Sequence, residues 1–187
     1  MAQLKELSPL SSQRLLDVAC GTGILLRQVH EQFAGVRLYG VDASADMLEQ
    51  ARQTLSTYPA ISLKQAEVGP ADRANLPYEV AFFDVITCAN VLHALPDPEK
   101  TLRGLWGLLT PGGTLVLEDY ARRTAPFPWW LFEPLLKRIE GVYVRAYTRA
   151  EAERFCTQLG FELEESHSFI VNRLWHGWVI RARKKDA

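Results

Sequence analysis

The chain has few cysteines, no long apolar run and no surplus of either charge, and each shortage removes a class of protein. Its 3 cysteines, Cys20, Cys88 and Cys156, are too few and too far apart for a disulfide framework or a thiolate metal site. They read as small buried apolar residues in a reducing compartment. No stretch stays apolar long enough to span a bilayer, and the start MAQLKELSPLSS lacks the apolar core of a signal peptide. The expectation is a cytoplasmic protein. Basic and acidic residues nearly cancel, 21 against 22, which leaves no electrostatic footprint for nucleic acid. The cluster Arg181–Lys185 reads as a solvated strand end. With no repeat, low-complexity tract or linker, residues 1–187 are expected to form one domain.

What is present is a unit of strand, glycine turn, helix, strand and acid. LLDVACGTG, Leu15–Gly23, is an apolar run that reaches Asp17 and then Gly21 and Gly23; VRLYGVD ends in Asp42. A Gly-x-Gly turn brings bare backbone close to a ligand and allows positive φ. The helix that follows points free N–H groups at the same place. An acid ending the second strand can accept both hydroxyls of a ribose. The third glycine of a dinucleotide fingerprint is missing, because Leu26 stands there, which disfavours a nicotinamide-dependent oxidoreductase.

The element order alternates strand and helix. Strands are expected at Arg14–Val18, Ile61–Ala66, Ala81–Ala89 and Thr114–Glu118, with a closing pair near Leu163–Val171 and Trp175–Arg183. Leu26, Val29 and Phe33 share one helical face, and Leu48, Ala51 and Leu55 another. Ser44 is a helix cap, Asp97-Pro98 opens a helix with buried stripe Leu102, Leu105, Trp106 and Leu109, and Thr148 with Glu151 forms a capping box.

The separated pieces LLDVACGTG, GVDASADMLEQAR, FFDVITCANVLHALPDP and LLTPGGTLVLEDY, followed by Gly160-Phe161, resemble the class I S-adenosylmethionine-dependent methyltransferases over residues 12–120. A weaker similarity reaches the ubiquinone- and menaquinone-pathway members. The resemblance implies a Rossmann-like, doubly wound α/β sheet of order 3-2-1-4-5-7-6 with strand seven antiparallel and helices on both faces. It implies S-adenosylmethionine as cofactor, S-adenosylhomocysteine as product, and a small-molecule acceptor.

The same resemblance gives the site. Asp17 either accepts N–H bonds of the turn or reaches the cofactor's amino group through water. The backbone at Ala19, Gly21 and Gly23 meets the amino-acid part, Asp42 the ribose, and Ala43 and Met47 the flanks of the adenine. Counting from the third strand selects Glu67 for the adenine edge. Counting back from Leu76-Pro77 selects Asp72, the favoured register, with Arg73 and Ala74 as backbone contacts. Asn90 stands at the strand-end crevice. His93 is either a proton acceptor or a loop-packing residue. Residues 120–147 are expected to form an apolar lid over the acceptor, with Trp129, Trp130, Tyr143 and Tyr147 as contacts, or else a helix packed on the sheet. Such a surface could also pair two copies of the chain. The competing functional class is a module that binds the cofactor without catalysis.

Overall fold

The computed structural model describes residues 13–120, 145–170 and 176–185. Seven strands form one sheet: β1 (Arg14–Val18), β2 (Arg37–Asp42), β3 (Ser62–Gln65), β4 (Phe83–Ala89), β5 (Leu109–Tyr120), β6 (Phe161–Ile170) and β7 (His176–Lys184). Their order is β3-β2-β1-β4-β5-β7-β6. β7 runs antiparallel to both neighbours, and β1 through β5 pair in parallel. This is the order and sense expected from the sequence.

Alternation along the strands sends side chains to two cores. Leu16, Val18, Ile86, Cys88, Leu115 and Leu117 share one core with Leu102, Leu105 and Leu108 of α3 (Pro98–Leu108) and Ala152 and Cys156 of α4 (Arg149–Gln158). Leu15, Val85 and Val116 share the other with Leu26 and Val29 of α1 (Ile24–Gln32) and Leu48 of α2 (Ala45–Thr54). Both faces are covered, so the central strands are apolar on both sides.

The helices start where local chemistry dictates. Ser44 Oγ accepts from Met47 N–H, Asp97 Oδ1 from Lys100 N–H with Pro98 behind it, and Thr148 and Glu151 complete a reciprocal box. Several strand boundaries differ from expectation by a residue or two, and the starts of β4 and β5 differ for a structural reason. β4 begins at Phe83, not Ala81, because Ala81 is left-handed at φ 52°. The N–H groups of Ala81 and Phe82 instead satisfy the last carbonyls of α3, at Gly107 and Leu108. β5 begins before the Pro111-Gly112-Gly113 turn. Leu109 already pairs with Phe83, and the turn is a bulge before Thr114 meets Val85. At the far end of the sheet Lys184 Nζ donates to the carbonyls of Trp106 and Leu109 at 2.9 and 2.7 Å, clasping the end of α3. No helix among the described residues is long and apolar enough to cross a membrane.

Candidate active site

The chain leaves the carboxyl ends of β1 and β4 through left-handed backbone: Ala19 (φ 55°), Gly21 (φ 52°) and Gly23 (φ 75°) after β1, and Asn90 (φ 56°) after β4. The two glycines differ in what surrounds them. A Cβ on Gly23 would stand 3.0 Å from Leu55 Cδ1 and 3.3 Å from Ala51 Cβ, so this glycine lets α2 pack on the turn. A Cβ on Gly21 would meet nothing within 4 Å, so that backbone faces open space. Gly23 is also the N-cap of α1, where no side-chain cap bond is made among the described residues. The first N–H groups of α1 suit a carboxylate.

Asp42 both builds and serves this turn. Its Oδ2 accepts the N–H of Gly21 at 2.8 Å and its Oδ1 accepts the N–H of Ser44 at 2.9 Å. Each carboxylate oxygen keeps a further lone pair, so a ribose diol can be bound without breaking either bond. Beside it Ala43 is exposed and Met47 is 40 % exposed, so both are open to solvent next to Asp42. Open backbone at Gly21, an uncapped helix end and an acid at the end of β2 together fit a nucleoside carrying an amino-acid tail.

Asp17 does not hold the turn; Asp42 does. Asp17 is buried on β1, and its Oδ1 accepts from Thr87 Oγ1 of the neighbouring strand at 2.6 Å. Burial lifts its carboxyl from the ordinary 3.8 to about 7, against the Thr87 hydrogen bond and with help from the charge of Asp42. A cation bound nearby would draw it to the ionised form. Cys20, inside the turn, is buried and its thiol is pushed up to about 12 by burial and then by Asp17 and Asp42. It is therefore inert as a nucleophile.

The second half of the crevice lies between β4 and β5. Asn90 is exposed, and its N–H donates to Glu118 O at 2.9 Å. His93 stands in a short 3₁₀ turn, Leu92–Ala94. Its Nδ1 lies 2.7 Å from Asp119 Oδ1, and its backbone N–H donates to Asp119 Oδ2 at 2.9 Å. The N–H of Tyr120 donates to Asp119 Oδ1 at 2.7 Å. Asp119 is 2 % exposed. The carbonyl of His93 accepts from Arg145 N–H at 3.0 Å, and the Arg145 guanidinium pairs with Glu151. Sequence reasoning missed Asp119. The available signal was two consecutive acids, Glu118 and Asp119, closing an otherwise apolar strand, as Asp17 and Asp42 nearly close theirs.

The adenine-edge candidates separate in space. Glu67 is exposed and follows Ala66, whose N–H donates to Asp42 O at 3.0 Å. Asp72 is also exposed and opens the 3₁₀ turn Asp72–Asn75, which carries Arg73 and Ala74 and rests against α3. Tyr147 is buried, its ring against Phe155 and its carbonyl accepting from Trp178 Nε1 at 3.0 Å. It is a core residue here and not an open polar handle, because the box at Thr148 brings the chain down onto the sheet just before α4. Trp129, Trp130 and Tyr143, and with them the body of the expected lid, lie outside the described residues. A polar groove of about 340 Å³, lined by residues such as Gln13, Asp84 and Arg183, opens at the amino ends of the strands, away from this crevice.

Glycine turn, acid and crevice at the carboxyl ends of parallel strands define a doubly wound, nucleoside-binding α/β protein. A family profile described as "Methyltransferase domain" matches residues 16–115, and the chain belongs to the S-adenosylmethionine-dependent methyltransferase family. It is 30% identical over 174 residues to a ubiquinone biosynthesis O-methyltransferase of Aromatoleum aromaticum, a match covering 88% of this chain and 70% of that one. It is 37% identical over 110 residues to the demethylmenaquinone methyltransferase of Deinococcus radiodurans, covering 59% of this chain and only 44% of that protein's length. The fold matches an S-adenosylmethionine dependent methyltransferase from Mesorhizobium loti with a TM-score of 0.79 at 22% identity, over 98% of this chain and 96% of that one.

Proposed function

We propose that this chain moves the methyl group of S-adenosylmethionine to a small apolar or aromatic acceptor held over the ends of β4 and β5. The observation that carries the reading is Asp42, tied to Gly21 and Ser44 yet with lone pairs left for a ribose, beside open backbone at Gly21. The cofactor supplies a methyl group on a sulfonium, already activated for displacement. The protein's work is then to hold, align and exclude water.

In this reading the backbone of Ala19, Gly21 and Gly23 and the carboxyl of Asp17 hold the amino-acid end. Asp42 holds the ribose, Ala43 and Met47 flank the base, and Asp72 with the backbone of Arg73 and Ala74 meets its edge. Asn90 stands between cofactor and acceptor. β5 lies two strand spacings from β1, about 10 Å, which is room for a ring acceptor beyond the methyl group. The ubiquinone and demethylmenaquinone names of the relatives support an acceptor of the ring type.

Calorimetry with S-adenosylmethionine, S-adenosylhomocysteine and NAD, followed by transfer of labelled methyl to a panel of ring compounds, tests the proposal. Binding of the first two and methylation of a panel member is expected. NAD binding with no response to the methyl donor would refute it, and donor binding without transfer to any acceptor would favour a binding module.

A further inference from the structure

We propose that the side-chain amides of Asn75 and Gln65 are positioning residues for the base end of the cofactor. The inference rests on the methyl-transfer reading above and deepens it at that site. β3 is the weak wall of the crevice. It has four residues, Ser62–Gln65, and among the described strands it pairs with β2 alone. An edge strand this short leaves backbone groups on one side without a ladder. Yet the chain that leaves it carries both candidate acids, Glu67 and Asp72, and its end lies beside Asp42. Two side-chain amides supply bonds there that the ladder does not.

The first is Asn75. Ala74 (φ 52°) and Asn75 (φ 63°) are left-handed in succession, a conformation that L-residues rarely adopt. Ala74 is fully buried, its backbone against Gly104 of α3. Asn75 is exposed, so packing does not hold it. Its Nδ2 donates to Glu67 O at 3.2 Å, while Gly69 N–H donates to Ala74 O at 3.1 Å. These bonds close the segment Glu67–Asn75 on itself, with Asp72 between its tied ends. The second is Gln65. Its Nε2 donates to Ala43 O at 3.0 Å, one residue past the last pair of the ladder, Asp42 with Gln65. Gln65 thus holds from outside the turn that Asp42 Oδ1 holds from inside through Ser44 N–H. Neither amide belongs to a core. The two act on different contacts. Asn75 aims one carboxylate, Asp72, at the amino edge of the base. Gln65 steadies Asp42 and Ala43, which meet the ribose and the flank of any purine nucleoside.

Calorimetry on the full chain separates these roles. The ligands are S-adenosylhomocysteine and its analogue with purine in place of adenine, which lacks the amino group. Neither carries a charge on sulfur that a new carboxylate could attract. Wild type should prefer the adenine ligand about tenfold or more, as a bond to a charged acceptor gives. Asn75→Gly keeps the left-handed backbone and removes the donor. Asn75→Asp keeps the shape and, ionised, cannot donate. Both should cut the preference to within about threefold, by weakening the adenine ligand. Gln65→Met, of similar shape and without a donor, should weaken both ligands alike, about 3–10-fold. Melting temperatures of all three should stay within about 3 °C of wild type. A much larger fall would make the amides structural and overturn the proposal. So would an unchanged preference in the Asn75 variants, a Gln65→Met loss absent or confined to one ligand, or a wild type that holds both ligands equally. If wild type binds neither ligand, the methyl-transfer reading itself fails and takes this proposal with it.

Discussion

The two halves of the crevice hold their charged groups by different means. On the β1–β2 side the crevice wall is backbone: Gly21, the amino end of α1, and an acid whose oxygens are already engaged by Gly21 and Ser44. On the β4–β5 side it is a side-chain pair, His93 on Asp119, fixed by the backbone of both residues' neighbourhoods. The first half is set by backbone shape, which survives most side-chain changes nearby. The second is set by side-chain bonds between two strand ends, which a single substitution can undo.

The largest effect should come from breaking the seat of the backbone half. A Cβ on Gly104 of α3 would lie 2.1 Å from Ala74 N and 2.6 Å from Ala71 O, backbone atoms that cannot swing aside. Gly104→Ala should cost roughly 3 kcal/mol or more of stability, read by denaturant unfolding, and should weaken cofactor binding by moving the Asp72 turn. A wild-type unfolding curve would mean that the turn is free to shift. Asp42→Ala should come next. It removes a charged acceptor worth roughly 1.5–3 kcal/mol, so calorimetry should show cofactor affinity down about 10–100-fold. It should also lower the melting temperature, since two N–H groups lose their partner. Unchanged affinity would place the ribose elsewhere.

Asp17 sharpens the comparison through pH. Its folded carboxyl titrates near 7 instead of 3.8, so without ligand the fold loses stability as pH rises from the ordinary carboxylate range through about 7. A cationic cofactor favours the ionised form. Affinity should therefore rise, about tenfold, as pH climbs from one unit below to one unit above that value. Protons should be released on binding, visible as a buffer-dependent enthalpy. Asp17→Asn should flatten both; a slope that persists would belong to another group. The smallest change is Gly21→Ala. Left-handed backbone costs an L-residue roughly 1–2 kcal/mol, but open space lies around its Cβ. A modest melting shift with a clear loss of cofactor affinity is expected; affinity equal to the parent's would mean the ligand does not pass there.

Most of the fold was legible because its signals are local. Ser44, Asp97-Pro98 and the Thr148–Glu151 box are read within four residues, and the strand order followed from motifs of the family. The start of β4 was not legible, because Ala81 is left-handed and it and Phe82 serve carbonyls of α3 that each come 26 positions later. In the crevice, the positions of Asp17, Asp42 and His93 at strand ends could be read, but not their partners. Asp17 meets a threonine 70 residues away and His93 an aspartate 26 away. Pairing across a sheet depends on register and strand order together, which no short window contains.

The place of β7 has a consequence for how the protein is made. It comes last among the described strands yet lies inside the sheet, between β5 and β6. At ordinary translation speeds it leaves the ribosome on the order of several seconds after β5. Through that interval Leu115, Val116 and Leu117 border an unpaired edge, and the Lys184 clasp on α3 does not yet exist. An unpaired apolar edge is a template for another chain. A slow codon between Tyr120 and His176 should therefore send more of the protein to aggregates than the same codon placed before β5, with the finished molecule unchanged.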